Sequence, residues 1–164
     1  MDNDGPRYFF ETYLRPNYED WKNDPQNVRL AMNVAVSANQ LADWCVVYWD
    51  NKGELSKVNC CSRHTVSKYR EFLAANECAD FAIIRDVAES HKHLELNRAN
   101  PTVSKGTQTD TGSLGWGEGG YGEGVWGGGP QLVVELNNGQ RRAFSAPMEN
   151  VFNMWNRILV SWSL

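Results

Sequence analysis

The sequence predicts a mainly α-helical domain of the α+β class: an antiparallel bundle of four to five helices with a β-hairpin and a C-terminal helix. Three observations predict it. Apolar residues recur at three-and-four spacing over long stretches, the period of a helix face. An Asn-Gly pair near the C-terminus sits between two short β-rich runs, the signal of a hairpin. Ten of the 14 glycines fall between Gly112 and Gly129, and glycine there is too costly in backbone entropy for a helix interior.

The elements follow in order. Residues 7–22 are rich in aromatics (Tyr8, Phe9, Phe10, Tyr13, Tyr18, Trp21), and Pro16 is expected to divide or shorten any helix there. Asp24-Pro25 is a start signal, a capping side chain followed by proline at the first helical position. A long core helix runs from it to about Asp50, with Leu30, Ala31, Val34, Ala35, Ala38, Leu41, Ala42, Cys45, Val46 and Trp49 on its inner face. Asn51-Lys52-Gly53 ends it. Ser62 caps a helix over residues 63–75, with Val66, Tyr69, Phe72 and Leu73 inward. Asn76 or Asp80 caps the next, which is expected to reach about Arg98 before Asn100-Pro101. Its inner stripe is Phe81, Ile84, Val87, Ala88, His91 and Leu94 or Glu95. Thr102 to Thr109 is a candidate strand. Leu132–Leu136 and Arg141–Phe144 form the hairpin. With Asn138-Gly139 as a two-residue turn, Glu135 faces Arg142. The last helix begins near Pro147 and turns Val151, Phe152, Trp155, Ile158, Leu159 and Trp162 inward.

One domain is expected over residues 1–164: a helical part (1–111), a Gly-rich loop (112–130), and a hairpin plus helix (131–164). The last unit is too short to bury a core of its own. The chain carries 16 Lys+Arg against 20 Asp+Glu, a net charge of -4. That argues against indiscriminate coating of nucleic acid, but not against a local basic site. No run approaches the roughly 18 apolar residues of a membrane span, so no membrane partner is expected. The acidic start MDNDGPRYFF is no secretory signal. Cys45, Cys60, Cys61 and Cys78 are then read as reduced thiols in a cytoplasmic protein.

Two stretches carry candidate chemistry. Residues 52–70 hold Lys52, Lys57, Arg63, Lys68 and Arg70 against Glu54 alone. That makes Lys57, Arg63, Lys68 and Arg70 candidates for substrate phosphates, with His64 a solvated neighbour. The densest polar cluster is Arg85-Asp86-Val87-Ala88-Glu89-Ser90-His91-Lys92-His93. On a continuous helix His91 and His93 point about 200° apart, and Arg85 and His91 about 120° apart. The two histidines therefore cannot bind one metal from an intact helix, and no metal or other cofactor is expected. An Arg with a His can cleave RNA without metal. The imidazole moves the proton of the ribose 2′-hydroxyl or of the leaving oxygen, and the guanidinium holds the phosphate. The structural alternatives are an Arg85–Glu89 pair one turn apart, a core His91, and Asp43 as a salt-bridge partner of the long helix.

Arg85-Asp86-(four residues)-His91 resembles the R-polar-x4-H signature of HEPN-domain ribonucleases, small helical bundles of bacterial and phage conflict systems such as toxin–antitoxin and phage defence. The resemblance covers roughly residues 26–98. It implies a metal-independent endoribonuclease in which Arg85 and His91 are catalytic and Asp86 supports them. It also implies RNA as substrate, a homodimer that joins two motifs in one cleft, and a protein partner such as an antitoxin or complex subunit. A looser resemblance spans Leu41-Ala42-Asp43-Trp44, Arg85-Asp86-Val87-Ala88 with Lys92-His93, the hairpin and the Trp-bearing last helix. It is to uncharacterised bacterial and phage proteins with a LADW helix and a D-x-A-x-x-x-K-H helix, and it implies no activity. It draws attention to Asp43, Asp86, Lys92 and His93. In that reading Asp86 and His93, on one helix face, pair as carboxylate and imidazole in an enzyme that uses no nucleic acid.

The Gly-rich stretch contains Gly117-x-Gly119-x-x-Gly122, formally a dinucleotide fingerprint, but no helix can follow it. Its alternative use is an aromatic loop. Trp116, Tyr121 and Trp126 would then contact bases or a protein partner, and the chain would be a non-catalytic interaction module.

Overall fold

A computed structural model describes residues 5–58, 66–93, 95–115, 117–118 and 129–164. The architecture is the expected one, mainly helical with a small antiparallel sheet and a C-terminal helix. The expectations for Cys60, Cys61, Ser62, Arg63, His64, Leu94, Trp116, Tyr121 and Trp126 lie outside the described residues.

Helix α1 (Pro6–Phe9), a π-helical turn (Phe10–Leu14) and α2 (Arg15–Asn23) follow one another without interruption. Pro16 marks a boundary but does not break the rod. Its ring would press on the carbonyl four residues back, and that residue, Thr12, lies in the widened turn. Glu11 bridges Arg15 at 2.6 Å and Arg7 at 3.3 Å across this turn. The Arg15 hydrogen bond holds the Glu11 carboxyl below its usual range.

Helix α3 (Val28–Asn51) starts later than Asp24-Pro25 suggested. Asp24 closes α2 through its N–H to Trp21 O, at 3.1 Å. It also accepts the Asn27 side chain at 2.9 Å. Asn27 then caps α3, accepting Leu30 N–H at 3.4 Å. The expected inner stripe is buried from Ala31 to Trp49, with Leu30 and Val46 packed at its margin.

Past a short turn at Leu55–Val58, α4 (Val66–Phe72) continues into a second π-helical turn, Leu73–Glu77. Helix α5 (Phe81–Ser90) packs along α3 and ends at Ser90, not near Arg98. Phe81, Ile84, Val87 and Ala88 are buried as expected, whereas His91 and Glu95 are exposed. The polar Arg85 and Asp86 are buried in their place. The chain turns back after Ser90, and Gly106 closes on the end of α5. A Cβ at Gly106 would sit 3.3 Å from the Ser90 carbonyl.

The candidate strand at 102–109 is instead a short turn (Gly106–Gln108) leading into β1 (Thr109–Gly112). β1 pairs with β2 (Gln131–Glu135), and β2 with β3 (Arg141–Ala143), all antiparallel in the order β1-β2-β3. The hairpin register differs by one residue: Glu135 faces Arg141, and Arg142 faces Val134. The loop is Asn137-Asn138-Gly139. It is closed by Leu136 N–H to Gln140 O (2.7 Å) and Gly139 N–H to Leu136 O (2.9 Å). Gly139 at φ +83° supplies the left-handed residue that a three-residue loop needs. The shift arises outside the hairpin. Asn137 donates its N–H to Thr102 O at 2.8 Å, and its side chain donates to Pro101 O and Ser104 Oγ, both at 2.7 Å.

The new register frees Arg142 to meet Asp80, just before α5. Asp80 also accepts Asn150 of α6 (Ser145–Ser161) at 2.7 Å. One carboxylate thus ties the hairpin, α5 and α6 together. Asp80→Ala is expected to cost about 1–3 kcal/mol, read as a lower midpoint in urea at unchanged slope. A cost below a few tenths would mean that the contacts are incidental.

Helix α6 completes the core. Met148, Val151, Met154, Trp155, Ile158 and Leu159 are buried, and Phe152 stacks on Tyr18 with centroids 4.0 Å apart. The Trp155 indole N–H reaches Ala38 O of α3 at 2.9 Å, so this large ring is buried with its donor satisfied. The main hydrophobic cluster runs from Phe9 to Leu159 and includes Leu132 and Val134 of β2. Among the described residues no helix is long and apolar enough to cross a membrane.

Candidate functional site: a cationic cleft at the end of α5

The polar cluster straddles the end of α5. His91 N–H reaches Val87 O at 3.3 Å and His93 N–H reaches Glu89 O at 3.3 Å, but both residues lie past the last helical position. Each still bonds to a carbonyl four residues back, and His91 keeps right-handed helical backbone angles. His91, Lys92 and His93 line one open cleft of about 990 Å3. The first turns of α3, with Val28, Arg29, Met32 and Asn33, also line it, as do Lys105, Gly106 and Thr107. The lining holds two imidazoles and three cations (Arg29, Lys92, Lys105) against one carboxylate, Glu95.

Arg85 and Asp86 turn elsewhere. Arg85 is nine-tenths buried, and its Nε donates to Glu89 Oε1 at 3.2 Å. Asp86 is wholly buried. Its Oδ2 accepts Thr102 N–H at 2.5 Å, Thr102 Oγ1 at 2.7 Å and Val103 N–H at 3.3 Å. The Arg98 guanidinium meets Oδ1, and Arg98 Nε lies 3.8 Å from Glu89. Burial, then the neighbouring Arg85, lower the Arg98 pKa. Asp86 thus pins the segment that returns from the cleft. These contacts of Asp86 run to that segment and not to His93.

The other candidates are dispersed. Asp43 pairs with Arg70 of α4 at 2.5 Å, and burial lowers the Arg70 pKa. Lys68 is exposed on α4. Lys57 lies in the turn before α4, its ammonium 5.7 Å from the centre of the Trp49 ring.

Sequence reasoning missed Arg29, Lys105, Arg98 and Thr102. Arg29 reads as an exposed position on an apolar helix. Lys105 joins it only because the chain reverses after Ser90. No Gly or Pro marks the helix stop after Ser90.

An imidazole at neutral pH exchanges protons in either direction. Two in one cleft beside three cations form a set able to deprotonate one oxygen, protonate another, and hold an anion between them. Among the described residues no three His, Cys, Asp or Glu side chains are grouped to hold a metal. Comparison of the chain with protein-family models, curated proteins and solved structures finds no match.

Proposed function

We propose that the cleft cleaves RNA without a metal cofactor, with His91 and His93 as the proton-transfer pair. The observation that carries this reading is their presence in one cleft with Arg29, Lys92 and Lys105. One imidazole removes the proton of the ribose 2′-hydroxyl. The 2′-oxygen attacks phosphorus, and a P–O2′ bond forms as the P–O5′ bond breaks. The other imidazole donates the proton that the leaving 5′-oxygen needs. Arg29, Lys92 and Lys105 stabilise the charge that builds on the non-bridging oxygens. The resemblance of Arg85-Asp86-x4-His91 to HEPN ribonucleases supports the same reaction class. The second reacting group here is His93 rather than Arg85. Both imidazoles come from one chain, so the cleft needs no second copy.

Incubation of a generic RNA with the protein and excess chelator tests this. Cleavage at an unchanged rate is expected, with products ending in a 2′,3′-cyclic phosphate and a 5′-hydroxyl. Products ending in a 5′-phosphate, or activity lost with chelator, would overturn the mechanism.

A further inference from the structure

A second cavity, of about 300 Å3, lies between α4 and the last turns of α6. Tyr69, Phe72 and Trp162 give it aromatic walls, and the cations Lys57 and Arg157 also line it. Trp162 is braced edge-on by Trp49, with centroids 5.5 Å apart at 85°.

The charged side chains lining the cavity are two cations, Lys57 and Arg157, and one carboxylate, Glu77. Arg157 uses a single nitrogen, Nη2, on Glu77, donating to the carboxylate at 3.0 Å and the backbone carbonyl at 3.2 Å. Glu77 is thereby paired. Among the described residues no carboxylate pairs with Lys57. The carbonyl of Ile158 accepts Trp162 N–H at 3.1 Å and Ser161 Oγ at 2.7 Å, and those of Leu159 and Val160 accept Leu164 and Ser163 N–H. The size is at the lower end of small-molecule sites, enough for one ring system and one charged group but not for a polymer.

We propose that this cavity binds a small aromatic anion, a planar ring system carrying one phosphate or carboxylate. The ring packs against Trp162 and Phe72, and the anionic group meets Lys57 and Arg157. This site is separate from the His91–His93 cleft and does not depend on the reaction proposed there.

Calorimetry and tryptophan fluorescence on the full chain test it, with adenosine monophosphate and indole-3-acetate as the phosphate and carboxylate probes. Saturable binding of at least one probe is expected, with quenching of tryptophan emission. Adenosine and inorganic phosphate, which each carry half of the recognised chemistry, should bind about tenfold more weakly or worse. Lys57→Gln, at an exposed position, should weaken the bound probe about tenfold. Trp162→Leu should weaken it by a similar factor, and Lys92→Ala in the other cleft should leave it unchanged. The proposal fails if neither probe saturates at millimolar concentration, or if adenosine or phosphate alone binds as well. It also fails if Lys57→Gln and Trp162→Leu, shown folded by circular dichroism, both bind like wild type, or if Lys92→Ala abolishes binding.

Discussion

Replacing His91 or His93 by alanine should lower the rate of RNA cleavage by about 10²–10⁴-fold, the range for loss of one general acid or base. The double replacement should lose little more than the worse single one, because two groups acting in one proton-transfer step are not additive. Both side chains are exposed, so neither variant should lose more than about 0.5 kcal/mol of stability. The rival arrangement, Arg85 with His91 across a dimer, makes a different forecast. There Arg85→Ala abolishes cleavage while His93→Ala leaves it nearly intact. Arg85 is paired with Glu89 at 3.2 Å, so Arg85→Ala is expected instead to cost stability first, with residual activity per folded molecule. Measuring kcat and urea midpoints on the same three variants separates the two arrangements. Wild-type activity in His93→Ala would sink the one proposed here.

The elements that could be read from sequence are those whose causes are local. The inner face of α3 was legible because its period is a property of the helix alone, and so was the stripe on α6. The end of α5 was not. Its cause is a contact sixteen residues away, Asp86 with Thr102, and the sequence signal that offered itself, Asn100-Pro101, lies farther along the chain. The hairpin shows the same limit. Asn138-Gly139 correctly marked a turn, but Asn137 is drawn into the loop by Pro101, Thr102 and Ser104. A one-residue change in register then moves every side chain of β3 relative to β2. At the candidate site, the His91-Lys92-His93 triplet was visible as a dense polar cluster. That it lines a cleft was not, because the rest of the lining comes from α3 and from residues 105–107, distant in the chain. Arg29 and Lys105 carry no mark in the sequence; only the chain reversal brings them to the histidines.

The largest effect on stability is expected at Asp86. Asp86→Ala removes a carboxylate that satisfies three donors from Thr102 and Val103 and leaves the half-buried Arg98 without its closest anion. Loss of one partner of a buried ion pair costs about 3–5 kcal/mol, or a fall in Tm of about 10 °C for a domain of this size. Arg98→Met should cost less, because Asp86 keeps its three hydrogen bonds and the new side chain retains the apolar stem. The double variant Asp86→Ala/Arg98→Met should be more stable than the sum of the single costs predicts, by about 1–3 kcal/mol, since no guanidinium is then left stranded. Hydrogen exchange locates the effect: the Thr102 and Val103 amides should lose protection in Asp86→Ala while the α6 amides keep theirs up to global unfolding. Because the pinned segment returns directly from His91 and His93 and leads to Lys105, cleavage by the folded fraction of Asp86→Ala should fall as well. The signature is a higher KM from a cleft wall that no longer holds the cations in place. An Asp86→Ala protein with wild-type stability and an unchanged KM would show that α5 ends at Ser90 for some other reason.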